Sequence, residues 1–145
     1  MNMKPNGNGT NDQLINVLCC PVGWNDPQNG ASDPQNPKKI QFLSVNNAKS
    51  TTAPKGGIAT VAANPGPDKA PINQGAFVDP WGDPYVVFMD NNYDNNKQGG
   101  GAYYNDWPAS GLGVGVAACS LGKDGTWGSN SNGTLAGSDD IVSWQ

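Results

Sequence analysis

Every acidic side chain in this 145-residue protein is an aspartate and every basic one a lysine; the twelve Asp and eight Lys leave a net charge of −4. Short carboxylates on turns are hard oxygen ligands, and two groups of them have spacing that could serve a cation. In the first group, Asp90-Asn91-Asn92-Tyr93-Asp94-Asn95-Asn96, oxygen-bearing side chains recur at Asp90, Asn92, Asp94 and Asn96. Calcium takes six to eight oxygens, and a looped chain with alternating Asp and Asn delivers several to one point. Position six of that loop is Asn95 rather than Gly, and no Glu follows to close the coordination sphere. The same text also describes an Asn-rich turn whose side chains bond their own backbone. In the second group, Lys123-Asp124-Gly125 and Ser138-Asp139-Asp140 flank a polar loop running from Gly125 to Gly137. Carboxylates converging there would repel and need a cation or extensive solvation.

The missing residue types exclude more than the present ones suggest. With no His, Arg or Glu, neither a Ser-His-Asp nor a Cys-His nucleophilic site can be built, nor a His-ligated zinc site. An acidic chain without Arg is a poor nucleic-acid binder. Asp79, Asp83, Asp124 and Asp140 could in principle supply a carboxylate pair for glycoside hydrolysis. No pocket-lining pattern accompanies them, so an enzyme is not expected.

The elements that would position these groups are few. Residues 1–10 read as a flexible tail or an added start, and residues 11–145 as a single globular domain. Thr10 or Asn11 can cap a helix of two or three turns that ends at Pro21 and Gly23, with Leu14, Val17 and Leu18 on one face. Lys38 to Leu43 fits a short strand or one helical turn. Residues 44–76 carry little long apolar content and read as an extended loop. From Phe77 to Met89 a tight turn feeds a strand, a second strand is expected from Val114 to Leu121, and a last one from Asp140 to Trp144. The expected core is Phe77, Trp81, Tyr85, Val87, alternating members of 114–121, and Ile141. Trp81 and Trp144, in or next to strands, should pack as core, whereas Trp107 and Trp127 sit in loops and are candidates for exposure. Cys19, Cys20 and Cys119 are an odd number of thiols, compatible with a bridge from Cys119 to either of the others or with free buried thiols. The longest apolar stretch, Gly111 to Cys119, is about half the roughly 18–20 residues a membrane span needs.

Three ordered motifs, Asp79-Pro80-Trp81-Gly82-Asp83-Pro84-Tyr85, Ser120-Leu121-Gly122-Lys123-Asp124-Gly125 and Asp140-Ile141-Val142-Ser143-Trp144, resemble the globular domain of the major pseudopilin of type II secretion systems. That family reads close to D-P-W-G-N-P-Y, S-L-G-x-D-G, a Gly-rich loop, then D-I-x-x-W. The resemblance covers roughly residues 75–145. It implies an α+β, type IV pilin-like domain, with a short helix and a small antiparallel sheet with long loops. It also implies a structural subunit of a bacterial periplasmic pseudopilus, polymerising with other pilin-like subunits and working with secretion machinery. By the same resemblance a Ca2+ ion would be held by the Leu121 carbonyl and the carboxylates of Asp124 and Asp140, with Asp139 a neighbouring candidate. The family's processing site and apolar N-terminal helix, its inner-membrane anchor, do not occur in these residues, so the chain reads as the soluble part. Two departures stand out: Asp83 replaces the customary Asn, and the 125–137 loop is longer and richer in Ser and Asn. The rival reading is a secreted calcium-stabilised module that uses Trp107 and Trp127 to bind carbohydrate or a surface.

Overall fold

The helix begins where expected, but its capping residue has a different partner. In the computed structural model, which describes residues 11–19, 36, 38, 40–65, 71–90, 92–97, 103–129 and 133–144, helix α1 spans Asp12–Cys19. The Asn11 carbonyl accepts the first helical bond from Ile15 N at 2.9 Å. Its side-chain amide instead pairs with the Phe77 backbone, accepting from Phe77 N and donating to Phe77 O, both at 2.8 Å. Asn11 thus ties the helix start to a strand 66 residues away. At the other end, Asn36 donates to Val17 O (2.9 Å) and Ile40 O (2.8 Å), and Leu18 O accepts from Phe42 N and Leu43 N. These bonds satisfy helix carbonyls that have no partner within the helix. Ile15 and Cys19, one turn apart, are the buried pair; Leu14, Val17 and Leu18 are only half-buried. The tertiary partners of α1 selected a face one residue away from the one its hydrophobic pattern favours.

The chain divides into two compact units that part between Pro84 and Tyr85. In the first, α1 is followed by β1 (Gly57–Ile58) and β2 (Phe77–Val78), an antiparallel pair with Gly57 opposite Val78. Residues 44–65, expected as loop, are tied in by Ala48 N to Ile58 O (2.8 Å), Ile58 N to Asn46 O (3.0 Å) and a reciprocal pair between Ala63 and Ile72. Gly57 is required at this crossing: a Cβ there would lie 2.7 Å from both Ala48 N and Asn46 O. The core here is built from small residues. Ala59, Ala76 and Val78 are fully buried with Ile72, while Ile15, Cys19 and Ile58 form a second cluster with Leu43, Val45 and Phe77. Residues 38 and 40–43 form neither strand nor helix, and Ile40 and Phe42 are exposed.

In the second unit β3 (Val86–Met89), β4 (Val116–Ser120) and β5 (Ile141–Val142) make an antiparallel sheet in that order. The register pairs Val86 with Cys119, Phe88 with Ala117 and Cys119 with Val142. Alternation puts these five residues on one face. Phe88 sits at its centre, its ring 5.2 Å from Tyr103, 5.4 Å from Trp107, 6.2 Å from Trp127 and 6.0 Å from Trp144. Ala117 opposite Phe88 leaves room for those rings. The expected core is therefore one residue out of phase: Val87 is half-buried on the opposite face, and Ile141 is 58% exposed. A one-residue slip in phase exchanges every inward and outward side chain of a strand. Trp107 and Trp127, expected in exposed loops, pack into this aromatic cluster beside Trp144. Cys19 and Cys119 are buried free thiols; Cys20 and residues 1–10 lie outside the described residues. The described architecture is a small α+β fold with one short helix and antiparallel sheets, and no described helix is long and apolar enough to cross a membrane.

Candidate metal centre

The site forms where β4 runs out and β5 begins. Ser120, the last residue of β4, is buried and accepts Gly122 N on its hydroxyl at 3.2 Å. Leu121 is half-buried between them, and Gly122 turns the chain at φ +67°. A side chain at Gly122 would overlap the Asp139 carbonyl oxygen and come within 2.7 Å of its carboxylate. The Gly122 backbone therefore lies directly against Asp139. Asp139 Oδ2 then accepts Lys123 N at 2.6 Å and Asp124 N at 3.3 Å, stitching the turn after β4 to the segment before β5. Asp124 Oδ1 accepts Thr126 N at 2.9 Å, and Asp140 Oδ2 accepts Gly128 N at 2.8 Å.

The result is a convergence of Asp124, Asp139 and Asp140, each offering one oxygen within 4.8 Å of the others. Two oxygens bound to the same calcium at roughly 2.3–2.6 Å lie no more than about 5 Å apart. The spacing therefore matches a shared ion. All three donors are hard carboxylate oxygens, the kind calcium prefers, and no thiol or imidazole joins them. Asp140 adds a second observation: its Oδ1 is buried with no hydrogen-bond partner. Burial pushes the Asp140 carboxyl above its ordinary range, with the charges of Asp124 and Asp139 adding to the effect against the Gly128 N–H. Tyr104, 1% exposed, faces Asp140 and Cys119, yet its hydroxyl completes no hydrogen bond. The Cys119 thiol is pushed up to about 12, mainly by burial. At neutral pH it is a protonated core residue and not a nucleophile.

The polar loop between the two acidic segments is held from outside by residues that spacing did not single out. Asp106 accepts Leu135 N at 2.8 Å and Ala136 N at 3.1 Å, and Asn105 N donates to Gly133 O at 2.9 Å. The backbone N–H of Leu135, foremost, holds the Asp106 carboxyl below its ordinary range. The 103–107 segment also supplies Tyr103, Tyr104 and Trp107 to the aromatic core, so one stretch anchors both core and loop. The sequence signal for it was the aromatic run itself; the role of Asp106 had none.

In the other oxygen-rich loop the side chains serve the loop backbone. Asp90 accepts Asn92 N (3.0 Å) and Asn95 N (2.8 Å), and Asp94 accepts Asn96 N and Asn92 Nδ2, both at 2.8 Å. Asn96 donates to Ser110 O at 2.8 Å. Tyr93 and Asn95 take left-handed φ near +60°, a conformation that Asn tolerates better than most residues. Of the four oxygens expected for a second ion, those of Asp90 and Asp94 thus have local donors, whereas Asn96 Oδ1 is buried with no hydrogen-bond partner. Asp79, in the first unit, is likewise structural. Fully buried, its Oδ1 accepts Trp81 N, Gly82 N and Asp83 N at 2.7–2.9 Å. Gly82 is needed in that turn because φ is +100° and the Pro54 carbonyl would lie 3.2 Å from a Cβ. No protein-family model, curated protein or solved structure matches this chain closely enough to show a relationship.

Proposed function

We propose that the chain is a non-catalytic structural subunit of a pilin-like secretion filament whose C-terminal loop is stiffened by calcium. The observation that carries the reading is the convergence of exposed Asp124 and Asp139 with half-buried Asp140, one oxygen of which is buried without a partner. Asp124 and Asp140 fall in the second and third motifs of the pseudopilin resemblance, with Asp139 directly before the third, and a small antiparallel sheet with a long polar loop is compatible with that fold. Asp124, Asp139 and Asp140 would hold the ion, with Leu121 supplying a carbonyl and water or further backbone oxygens completing the shell. The ion would neutralise three crowded carboxylates and cross-link the turn after β4 to the start of β5. A filament subunit would gain from this, because beyond Trp127 the 125–137 segment carries little apolar content to resist the forces of assembly.

Two measurements test the proposal. Metal analysis and thermal unfolding of the purified protein should give one tightly held calcium. The melting temperature should rise by about 5–10 °C in calcium at a hundredfold excess over Kd. An unchanged midpoint between calcium and excess chelator would remove the metal from the reading. The filament half is tested by the coding sequence upstream of Met1: a prepilin-type cleavage site followed by an apolar helix is expected, and an unrelated upstream sequence would overturn it.

A further inference from the structure

The aromatic core of the second unit holds a buried donor that the packing does not use. Tyr104 is 1% exposed, and its ring packs near edge-on against Trp127, at 5.4 Å, and Trp144, at 6.3 Å. The residues that follow it are fixed in turn. Asn105 N donates to Gly133 O at 2.9 Å, Asp106 accepts Leu135 N and Ala136 N, and Trp107 N returns to the Tyr104 carbonyl at 3.1 Å. This framework brings the Tyr104 hydroxyl up to Asp140 and Cys119, where it completes no hydrogen bond. A buried phenol without an acceptor costs stability, because burial removes the water it would otherwise bond. Cys119 offers only a weak sulfur acceptor. Asp140 offers a carboxylate whose Oδ2 takes Gly128 N at 2.8 Å, while Oδ1 is itself buried without a partner. Tyr104 and Asp140 thus hold an orphan donor and an orphan acceptor at the buried end of the acidic cluster. Outer-shell donors of this kind fix the orientation of metal-bound carboxylates.

We propose that Tyr104 is a positioning residue for calcium at this site: its hydroxyl donates to the Asp140 carboxylate and aims it toward Asp124 and Asp139. The proposal rests on the metal reading above and adds a link from the ion to the aromatic core. Tyr104 supplies no oxygen to the ion; it acts through Asp140. Calorimetric calcium titration of the full chain, its Tyr104→Phe variant and its Tyr103→Phe variant tests this. Tyr104→Phe keeps the ring and deletes the donor, so its calcium Kd should weaken roughly tenfold. In chelator its melting temperature should match or exceed the parent's, because the deleted hydroxyl had no partner, and this also establishes that the variant folds. Tyr103→Phe removes a hydroxyl that feels burial but no charge of the site, and should bind calcium as the parent does. With isotope-labelled tyrosine rings, the NMR resonance of the hydroxyl-bearing carbon that Tyr104→Phe deletes should move downfield as calcium is added, the signature of a phenol donating to a carboxylate. Equal calcium affinity of Tyr104→Phe and the parent, an equal loss in Tyr103→Phe, or a Tyr104 resonance that stays still would each overturn the positioning role and leave the metal reading standing. A parent that binds no calcium would overturn both.

Discussion

Asp140 is the residue on which the metal reading is most exposed to test. Without metal its ionised carboxylate is half-buried beside two others, so the native state binds a proton more readily than the unfolded chain. Lowering the pH through its raised folded pKa toward the ordinary value near 3.8 should therefore stabilise the metal-free protein. Asp106 has the opposite sign. Its contribution is present above the ordinary value and is lost as pH falls through its lowered folded pKa. Denaturation followed across pH in chelator should show a stability maximum on the mildly acidic side, at or just above the ordinary aspartate value. In calcium the Asp140 limb should invert, because protons then compete with the ion. Substitution isolates the same group: Asp140→Asn should raise the metal-free melting temperature at neutral pH by about 2–5 °C and abolish the calcium response. A variant that is destabilised in chelator yet still responds to calcium would place the ion elsewhere.

Turns, more than regular elements, organise the first unit. The Asp79 carboxylate gathers three backbone N–H groups of one turn, and the Asp79 carbonyl receives Gly56 from the neighbouring segment. Removing that carboxylate strands buried donors. Asp79→Ala should cost about 2–4 kcal/mol in urea denaturation, whereas Asp79→Asn, which keeps an acceptor oxygen, should cost distinctly less. The motif that includes Asp79 could be read directly from the sequence, because Pro80, Gly82 and Pro84 punctuate it. Its use as a donor-gathering knot could not, since that depends on the turn's three-dimensional path. The same division applies to the sheet. β3, β4 and β5 lie inside the spans expected from alternation, but the buried phase was read one residue out. Val86-Val87-Phe88-Met89 is apolar throughout, so its pattern does not distinguish the two faces. The choice fell to the cross-strand partners, where small Ala117 admits the Phe88 ring.

At the scale of the molecule, the two compact units predict a segmental response to calcium. Hydrogen exchange in calcium and in chelator should show added protection in the turn and loop from Leu121 to Asp140, with the 46–63 amides unchanged. Protection gained equally throughout would indicate a nonspecific ionic effect instead of a local cross-link. The first unit was the harder half to foresee. Residues 44–65 bury Ala48, Ile58 and Ala59, side chains too small or too scattered to produce a periodic signal.

Composition alone determined much about this chain. Without His, Arg or Glu, its charged side chains at neutral pH are aspartate carboxylates and lysine ammonium groups alone, and local turn residues marked where each acidic segment begins and ends. Tertiary structure decided which of those oxygens meet. Asp124 and Asp140 are sixteen residues apart, and the β4–β5 pairing, the Asp139 bonds to Lys123 and Asp124 and the Asp106 clamp close the distance, while Asp90 and Asp94, in an equally oxygen-rich loop, turned back on their own backbone. Sequence spacing fixes which ligands exist; convergence requires a chain path set by contacts that no local pattern records.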